Sequence, residues 1–432
     1  MRAGLRGALC VLAALALLCA AAAAPSGAAA QAAPTPEARA WVLVDAADRE
    51  RLAGHAISEQ HAIASATKLM TAYVALRELP LRRELKAPPY QASSPLETLA
   101  GLQPGERMSV SDLLHALLLA SANDAAVTLA EGASGSVARF VREMNTAAAA
   151  LGLTRTRYEN PIGLDSATNY SSAGDLAALT LRLRREPSFR RIVDTEHALL
   201  KTGDRTREVD NRNALLLKYP WVTGVKTGHT LEAGDVLVAS ATQKGATLVS
   251  VVLGAPSEAA RDAGTLELLE YGFSLYRQRT VARDGERLAS PELEDQSESL
   301  PLVAKDGLQV GLRRGQRLRT STTAPSEVEG PVKRGERLGK LTATVDGRGA
   351  GTVPLVAARA ADEATFLERA RGQVPPAILV AIGAVVILIG VAAARRSAWP
   401  WHRNTEERMR SQEERLQRGE REEVGQGQGG PR

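Results

Sequence analysis

The sequence predicts an α/β fold of the α+β type: an antiparallel sheet flanked by helices, then a small all-β domain and one C-terminal transmembrane helix. Three observations support this prediction. Residues 41–278 are rich in Ala and Leu at helical spacing, interrupted by a few strand-like runs. Residues 281–358 alternate short strand-like runs with Asp-Gly and Arg-Gly turns. Residues 377–394 form one unbroken apolar run.

Residues 1–30 predict a secretory signal peptide, because two arginines precede a short apolar run that ends in small residues. Cleavage is expected just before Gln31. A first membrane helix is the alternative, which the small residues and prolines directly after the run disfavour. Both cysteines, Cys10 and Cys19, lie in this segment. The exported chain would therefore contain no thiol, which excludes a disulfide framework and a cysteine nucleophile.

The apolar run at 377–394 predicts a transmembrane helix, because 18 residues at about 1.5 Å each span roughly the hydrocarbon core of a bilayer. Arg395 and Arg396 follow directly, and positive residues favour the cytoplasmic side. The catalytic part is therefore expected outside the cell membrane, held by a single pass. The tail, residues 395–432, alternates Arg with Glu and ends in Gly and Gln, which predicts a disordered cytoplasmic segment.

Composition excludes several classes of function. The net charge of +5 comes from dispersed basic residues, aromatic residues make up 3% of the chain, and there is no binding motif, so no nucleic-acid site is predicted. The six histidines show no metal-ligand spacing. Neither a metal nor an organic cofactor is expected.

The segment between the cleavage site and the membrane helix is longer than one typical domain. We therefore expect a catalytic domain at residues 31–278 and a small β domain at residues 281–358. Within the first, WVLVDAADRERLAG predicts two strands around a turn, and residues 66–78 predict a helix. The runs GVKTGHT, DVLVASATQ and ATLVSVVLGA predict three further strands, before a closing helix at residues 258–277.

Two further helices have recognisable start signals. Ser111 is the predicted N-cap of a helix that should end near Ser121, with Asp112 favourable at its positive end. Ser172 with Asp175 predicts a capping box for the helix LAALTLRLRR.

Three short motifs suggest chemistry. Ser65 and Lys68 in SATK lie three residues apart and share one helical face. SAN follows at residues 121–123 and KTG at residues 226–228. Each is weak alone, since a solvated lysine at a helix end and a Ser or Asn cap between helices are common. Together, in this order, they resemble the S-x-x-K, S-D-N and K-T-G signature of penicillin-binding proteins and class A β-lactamases.

Longer stretches resemble the D-alanyl-D-alanine carboxypeptidases among the low-molecular-mass penicillin-binding proteins, serine peptidases of the β-lactamase/transpeptidase-like superfamily. They are ATKLMTAYVAL, LLLASANDAA, NPIGLD, WVTGVKTGHT and AGDVLVASAT. VKRGERLGKLTATVDGRGAGTVPLVA is similar to that family's C-terminal β domain. The resemblance implies an enzyme of cell-wall biogenesis that removes the terminal D-alanine from peptidoglycan stem pentapeptides. It also implies slow acylation by penicillins and other β-lactams.

The chemistry requires a nucleophile and a base. Ser65, in the first turn of its helix, is the predicted nucleophile, and its own N–H can also stabilise an oxyanion. Lys68 can act as the base only if its pKa falls from about 10.4 toward neutrality. Desolvation and a neighbouring positive charge, expected from Lys226, both act in that direction.

The resemblance implies roles for the remaining predicted site residues. Ser121 would pass a proton to the departing D-alanine, and Asn123 would bond the substrate backbone. The substrate-binding set is completed by Lys226, Thr227, Gly228, His229 and Arg261. Gly228 would allow close approach of the substrate, the His229 N–H would complete the oxyanion hole, and Arg261 would grip the terminal carboxylate.

Two alternatives stay open at this stage. A β-lactamase would need a glutamate-held water, for which Glu159 is the nearest candidate, but Ala122 stands where that signature has Asp. The sequence PIGL after Asn160 also matches the carboxypeptidase pattern. A non-catalytic penicillin- or peptidoglycan-binding wall protein is the other alternative, and the intact motif residues argue against it.

Overall fold

The computed structural model describes residues 32–95, 97–365, 369, 378, 380–396 and 408–412. The predicted signal peptide at 1–30 lies outside the described residues, and so does most of the predicted tail. Two positions of the predicted transmembrane segment, 377 and 379, also lie outside them.

The chain divides into two compact units. The first comprises the described residues up to Asp284 together with Asp306–Ser321 and Leu341–Val353. The second comprises Gly285–Lys305, Thr322–Lys340 and the described residues from Pro354 onward.

The helices all precede the β-rich C-terminal part, apart from those beyond residue 365. A 3-10 helix at Ala64–Thr67 is followed by α1 (Lys68–Glu78), α2 (Val110–Leu118), α3 (Asn123–Ser134), α4 (Val137–Ala150), α5 (Ala173–Leu183), α6 (Pro187–Val193), α7 (Ala214–Lys218) and α8 (Glu258–Ser274).

The strands run from residue 40 to residue 357. They are β1 (Ala40–Asp45), β2 (Arg51–His55), β3 (His61–Ala62), β4 (Glu84–Lys86), β5 (Arg107–Ser109), β6 (Tyr170–Ser171), β7 (His197–Leu200), β8 (Arg207–Asp210), β9 (Val222–Thr230), β10 (Gly234–Gln243), β11 (Ala246–Ala255), β12 (Tyr276–Ala282), β13 (Arg287–Ala289), β14 (Glu292–Leu293), β15 (Leu302–Ala304), β16 (Leu308–Arg313), β17 (Leu318–Thr323), β18 (Glu327–Val328), β19 (Arg337–Val345) and β20 (Arg348–Ala357).

The main sheet of the first unit has the strand order β2-β1-β11-β10-β9, and all its neighbours are antiparallel. The three predicted strands GVKTGHT, DVLVASATQ and ATLVSVVLGA are confirmed as β9, β10 and β11. Among the strands that the structure describes, β9 pairs only with β10, which makes it an edge strand, and His229 lies opposite Asp235. The KTG motif therefore lies where an added strand could pair with the sheet.

Helices cover both faces of this sheet, so the predicted mixed α/β architecture is confirmed. On β10, Val236 and Val238 belong to the core formed with α1–α6. Leu237 and Ala239 alternate with these two valines and therefore face the other side of the sheet. They belong to a second core with α7 and α8, which includes Leu268. The period of two along a strand produces this two-sided burial.

Of the two predicted helix N-caps, Ser172 is confirmed and Ser111 is not. The Ser172 side chain accepts the N–H of Asp175 at 3.2 Å, which confirms Ser172 as the N-cap. The Asp175 carboxylate instead accepts the Arg155 N–H and the Thr156 hydroxyl, so the reciprocal bond expected of a capping box is replaced by these two. The prediction of Ser111 as a cap is wrong, because α2 begins one residue earlier, at Val110. Ser109, the last residue of β5, is the N-cap and accepts the N–H of Asp112 at 3.1 Å.

From Tyr276 to Ala357 the chain forms strands and turns without a helix, which confirms the predicted all-β character of this part. In the second unit, β15 pairs antiparallel with β13 and β20, and β14 pairs parallel with β18. In the first unit, β12 pairs antiparallel with β16.

Residues 380–396 are helical. Among the residues that the structure describes, none of the helices meets the length and apolarity needed to cross a membrane.

Candidate active site

Ser65 and Lys68 are brought together at the junction of two helical segments. Ser65 lies in the 3-10 turn, and Lys68 is the first residue of α1. The Lys68 Nζ atom lies 2.8 Å from the Ser65 Oγ atom and donates to the carbonyl oxygen of Ile162 at 2.7 Å. The Lys68 side chain is fully buried. A lysine that is to take a serine proton needs this contact distance.

The environment of Lys68 favours the neutral amine. Burial is the main cause and lowers its pKa to about 7. The Glu97 carboxylate opposes this shift and raises the pKa, whereas the Arg212 guanidinium lowers it. Near neutral pH, a large fraction of the molecules therefore carries an uncharged amine beside the serine hydroxyl.

A tight loop supplies the second partner of Lys68. The Asn160 Oδ1 atom accepts the N–H groups of Ile162 at 3.2 Å, Gly163 at 2.6 Å and Leu164 at 3.1 Å. The Thr71 hydroxyl donates to the Pro161 carbonyl oxygen at 2.6 Å. Asn160 therefore fixes the loop whose carbonyl holds the base. Sequence reasoning gave Asn160 no role, although the NPIGLD block carried the signal.

Ser121 and Asn123 lie where α2 ends and α3 begins. Ser121 is buried and has a φ of +65°, which a non-glycine residue rarely adopts and which often marks a functional position. Asn123 is the first residue of α3, and its N–H donates to the Thr98 carbonyl oxygen at 2.8 Å. The Asn123 Nδ2 group donates to the Glu97 Oε2 atom at 2.7 Å.

The KTG segment lies against the turn that carries Ser65. A Cβ atom at Gly228 would be 3.0 Å from the Ser65 nitrogen and 3.1 Å from the Ala64 Cβ atom, so only glycine allows this approach without a shift. Lys226 is buried, and its Nζ group donates to the carbonyl oxygen of the neighbouring Thr227 at 2.9 Å.

The buried cations repel one another. Burial lowers the pKa of Lys226 well below its ordinary value, and the charges of Lys68, Arg212 and Arg261 lower it further. The nearby cation that lowers the pKa of Lys68 is Arg212, whereas sequence reasoning expected this effect from Lys226.

Arg212 is a site residue that sequence reasoning missed. Its side chain is exposed, its guanidinium donates to the Thr98 hydroxyl at 2.6 Å, and its charge acts on both Lys68 and Lys226. It lies between two buried asparagines in the segment Asn-Arg-Asn. Such a polar triplet just before a short helix was the available signal.

His229 and Arg261 are connected through Asp235. The His229 Nδ1 atom lies 3.3 Å from an Asp235 carboxylate oxygen, and the other oxygen lies 3.6 Å from the Arg261 guanidinium. Arg261 is buried and also contacts Glu258 and Asp262, each at 2.8 Å. Three carboxylates thus surround the guanidinium that sequence reasoning assigned to the substrate.

A separate cavity of about 400 Å³ is lined by residues such as Asp45, Arg49, Arg184, Thr247 and Tyr276. None of the predicted site residues lines it. Its lining residues include no hydroxyl paired with a buried lysine, whereas Ser65 and Lys68 form such a pair.

Comparison with known proteins agrees with this geometry. The sequence profile of D-alanyl-D-alanine carboxypeptidases matches residues 27–257, and that of the C-terminal domain of penicillin-binding protein 5 matches residues 276–363. The chain is 30% identical to D-alanyl-D-alanine carboxypeptidase DacF of Bacillus subtilis over 349 residues, which cover 78% of this chain and 90% of that protein. It is 32% identical to DacC of Escherichia coli over 357 residues, which cover 78% and 87%.

Solved structures give the same result. Penicillin binding protein 5 from Haemophilus influenzae is similar with a TM-score of 0.55 and 28% identity, covering 77% of this chain and 99% of that chain. The Streptomyces K15 DD-transpeptidase is similar with a TM-score of 0.53 and 32% identity, covering 56% and 100%. The chain therefore belongs to the D-alanyl-D-alanine carboxypeptidase family, serine hydrolases of the low-molecular-mass penicillin-binding proteins that act on peptidoglycan.

Proposed function

We propose that this protein removes the terminal D-alanine from peptidoglycan stem pentapeptides through an acyl-enzyme on Ser65, with Lys68 as the base. One observation carries the proposal. The buried Lys68 Nζ atom lies 2.8 Å from the Ser65 Oγ atom, and the pKa of Lys68 is about 7. A neutral amine in this position can accept the hydroxyl proton directly.

In the acylation step, Ser65 Oγ bonds to the carbonyl carbon between the two D-alanines while its proton passes to Lys68. The Ile162 carbonyl oxygen holds the amine in place. The oxyanion receives N–H groups from Ser65 and His229, where charge develops. Gly228 leaves room for the substrate against the Ser65 turn.

Collapse of the tetrahedral intermediate then breaks the C–N bond. The leaving D-alanine nitrogen takes up a proton, which Ser121 relays from Lys68. Water hydrolyses the resulting ester, releasing the shortened peptide and restoring the Ser65 hydroxyl. The φ of +65° at Ser121, a strained position in the cleft, supports a functional role for this residue.

The substrate is held by polar groups around this pair. Asn123 bonds its backbone, Lys226 and Thr227 face its terminal carboxylate, and Arg212 adds a positive charge at the mouth. Arg261 orients His229 by way of Asp235, whose two carboxylate oxygens contact the two side chains. Mutual repulsion of the cations is relieved when an anionic substrate enters, which favours binding of a free carboxylate.

The similarity to carboxypeptidases favours this function over the two alternatives. For a β-lactamase, the Glu159 carboxylate is already bonded by the hydroxyl groups of Ser166 and Thr168. For a non-catalytic wall protein, the close pairing of Lys68 with Ser65 would have no purpose, since burying an amine is costly.

The test uses the detergent-solubilised full chain and a stem pentapeptide. We expect release of one D-alanine per peptide, and mass spectrometry should locate a long-lived penicillin adduct on Ser65. Ser65→Ala should abolish both signals. Absence of D-alanine release from the unaltered protein would contradict the proposal, and fast penicillin turnover would favour a β-lactamase.

We further propose export and membrane anchoring: a signal peptide at 1–30, a membrane helix at 377–394, an extracytoplasmic catalytic part and a cytoplasmic tail at 395–432. The apolar sequence supports this, and so does the exposure of apolar side chains such as Val380, Ile387 and Leu388, which is unfavourable in water. Deleting residues 377–394 should move the protein from the membrane fraction to the soluble exported fraction. An unchanged membrane fraction would contradict the anchor.

The proposed domain bounds are 31–278 for the catalytic domain and 281–358 for the β domain. The profile matches at 27–257 and 276–363 support a boundary between residues 257 and 276, close to these bounds. Limited proteolysis should yield a fragment ending near residue 280 that binds penicillin. Cleavage that always destroys binding would contradict these bounds.

A further inference from the structure

The Glu97 carboxylate, in the loop between β4 and β5, accepts hydrogen bonds from several polar groups, including Asn123 of the candidate site. Its Oε2 atom accepts the Asn123 Nδ2 group at 2.7 Å and the Tyr90 hydroxyl. Its Oε1 atom accepts the N–H of Ser93 at 2.7 Å and the hydroxyl of Ser93 at 2.6 Å.

The carboxylate is ionised over the whole range in which the enzyme would act. Burial raises the pKa of Glu97, but hydrogen bonds from Ser93, Tyr90 and Asn123 outweigh it and lower the pKa to about 2. Glu97 therefore carries a full negative charge at neutral pH, in contact with the Asn123 amide.

An ionised carboxylate fixes the orientation of Asn123. A carboxylate only accepts hydrogen bonds, whereas a carboxamide has a donor end and an acceptor end. Asn123 must therefore turn its Nδ2 group toward Glu97, and its Oδ1 atom lies at the opposite end of the amide. Asn123 is 5% exposed, so burial restricts other rotamers. The acceptor end is thus available for an N–H group of the substrate backbone.

The same charge acts on the base. Glu97 raises the pKa of Lys68 against burial and the charge of Arg212. Lys226 is the other cation coupled to Lys68, and Asp124 is a further anion near Tyr90. Glu97 is the carboxylate with a resolved effect on Lys68 among the described residues, so its removal should change the titration of the base.

The loop between β4 and β5 is held in place by other residues besides Glu97. The Asp124 carboxylate accepts the N–H groups of Ala100 and Leu102, each at 2.9 Å. The Thr98 carbonyl oxygen accepts the N–H of Asn123 at 2.8 Å. These three bonds tie the loop to the start of α3, so substitutions at Glu97 should leave it attached.

We propose that Glu97 is a positioning residue for this reaction: its carboxylate fixes which end of the Asn123 amide faces the substrate, and its negative charge acts on Lys68. The inference rests on the proposed function, because it requires Lys68 to be the base.

The test measures the second-order rate of penicillin acylation of the full chain, in detergent, between pH 5 and pH 9. In the unaltered protein the rate should rise with pH as Lys68 loses its proton. Glu97→Gln removes the charge, which lowers the pKa of Lys68 and should move this rise to lower pH by roughly one unit. The rate at high pH should fall only in part, because the glutamine oxygen can still accept from Asn123 but its NH2 group no longer excludes the reversed orientation of that amide.

Two further variants distinguish the effect of the Glu97 charge from the effect of the Asn123 amide orientation. Glu97→Ala should move the rise in the same direction and also lower the high-pH rate about tenfold, because the Asn123 amide is then free to rotate. Tyr90→Phe keeps the charge of Glu97 and removes one neutral donor, so it should leave the position of the rise unchanged.

The outcomes are distinguishable. An unchanged pH profile in both Glu97 variants, or an equal shift in Tyr90→Phe, would overturn the inference. Failure of both Glu97 variants to fold, measured by thermal unfolding, would also overturn it, since the residue would then be structural. Failure of the proposed function looks different: the unaltered protein would not be acylated on Ser65 at any pH.

Discussion

Gly163 lies directly against the carbonyl group of Ala64, at a distance that leaves no room for a side chain. A Cβ atom at position 163 would be 2.0 Å from the Ala64 oxygen, and the φ of Gly163 is +92°. Ala64 precedes the nucleophile, and the Ile162 carbonyl next to Gly163 holds Lys68. A glycine far along the chain thus helps to set the contact between base and nucleophile.

Gly163→Ala should therefore impair the site as well as the fold. The strained φ should cost roughly 1–3 kcal/mol of unfolding free energy, and displacement of the Ile162 carbonyl should slow acylation about a hundredfold. Thermal unfolding and penicillin labelling measure the two effects. Gly152→Ala is the matched control, because Gly152 has a φ of +73° but no atom within 4 Å of its Cβ position. It should lose stability and keep its acylation rate; equal acylation by Gly163→Ala would contradict the argument.

Lys68→Met should separate catalysis from stability. Loss of the base should slow acylation by roughly a thousandfold, within the usual range for general base catalysis. Stability should not fall, because a fully buried amine is replaced by an apolar side chain of similar length. The rate constant for penicillin adduct formation and the melting temperature are the two readouts. Normal acylation in a folded Lys68→Met variant would exclude Lys68 as the base.

Arg212→Gln should change the pH profile in the direction opposite to the Glu97 variants. The Arg212 charge lowers the pKa of Lys68, so its removal raises that pKa, and the rise in acylation moves to higher pH. The KM for a stem pentapeptide should also increase, because the cleft loses a cation. Arg191→Gln, on the exposed face of α6, is the charge-matched control and should leave both quantities unchanged. A shift of equal size in the control would mean that net charge alone is responsible.

Arg207→Met should lower the unfolding free energy, because it removes the positive partner of a buried carboxylate. Arg207 makes two hydrogen bonds to the buried Glu106 carboxylate, at 2.7 and 2.8 Å. Without Arg207, that carboxylate keeps its backbone N–H donors but stays buried without a counter-charge, which should cost about 3–5 kcal/mol at neutral pH. Denaturant unfolding measures this, and the double variant Glu106→Gln with Arg207→Met should recover part of the loss. No loss in the single variant would contradict the buried pairing.

The Arg207–Glu106 pair also determines the direction in which stability changes with pH. Burial raises the pKa of Glu106, but its bonds to Arg207 and to backbone N–H groups outweigh this and hold the pKa below its ordinary value. The pair therefore stabilises the fold above the ordinary carboxyl pKa, and this stability is lost as the pH falls through the lowered folded-state pKa. In Arg207→Met the acid-dependent loss should shrink, because the carboxyl group is then more easily protonated in the folded state. An unchanged acid profile would argue against the pair as its source.

Much of the fold follows from short-range patterns. The three strands around the KTG motif and the Ser172 cap depend on side chains a few positions apart, and these predictions are confirmed. The cap of α2 is an instructive error. Ser109 and Ser111 suit an N-cap equally well, and the choice was made by where β5 ends, which depends on its pairing with β4.

The candidate site likewise combines features that local spacing predicts with features that depend on long-range contacts. The sequence by itself placed Ser65 and Lys68 on one helical face, because their spacing is built into helix geometry. Only the tertiary structure decided that Lys68 is buried against the carbonyl of Ile162, which is 94 positions away, and that Glu97 holds Asn123 across 26 positions. It also decided that Arg261 meets Asp235. Desolvation and charge coupling depend on which distant segments close over a residue, and no local pattern contains that information.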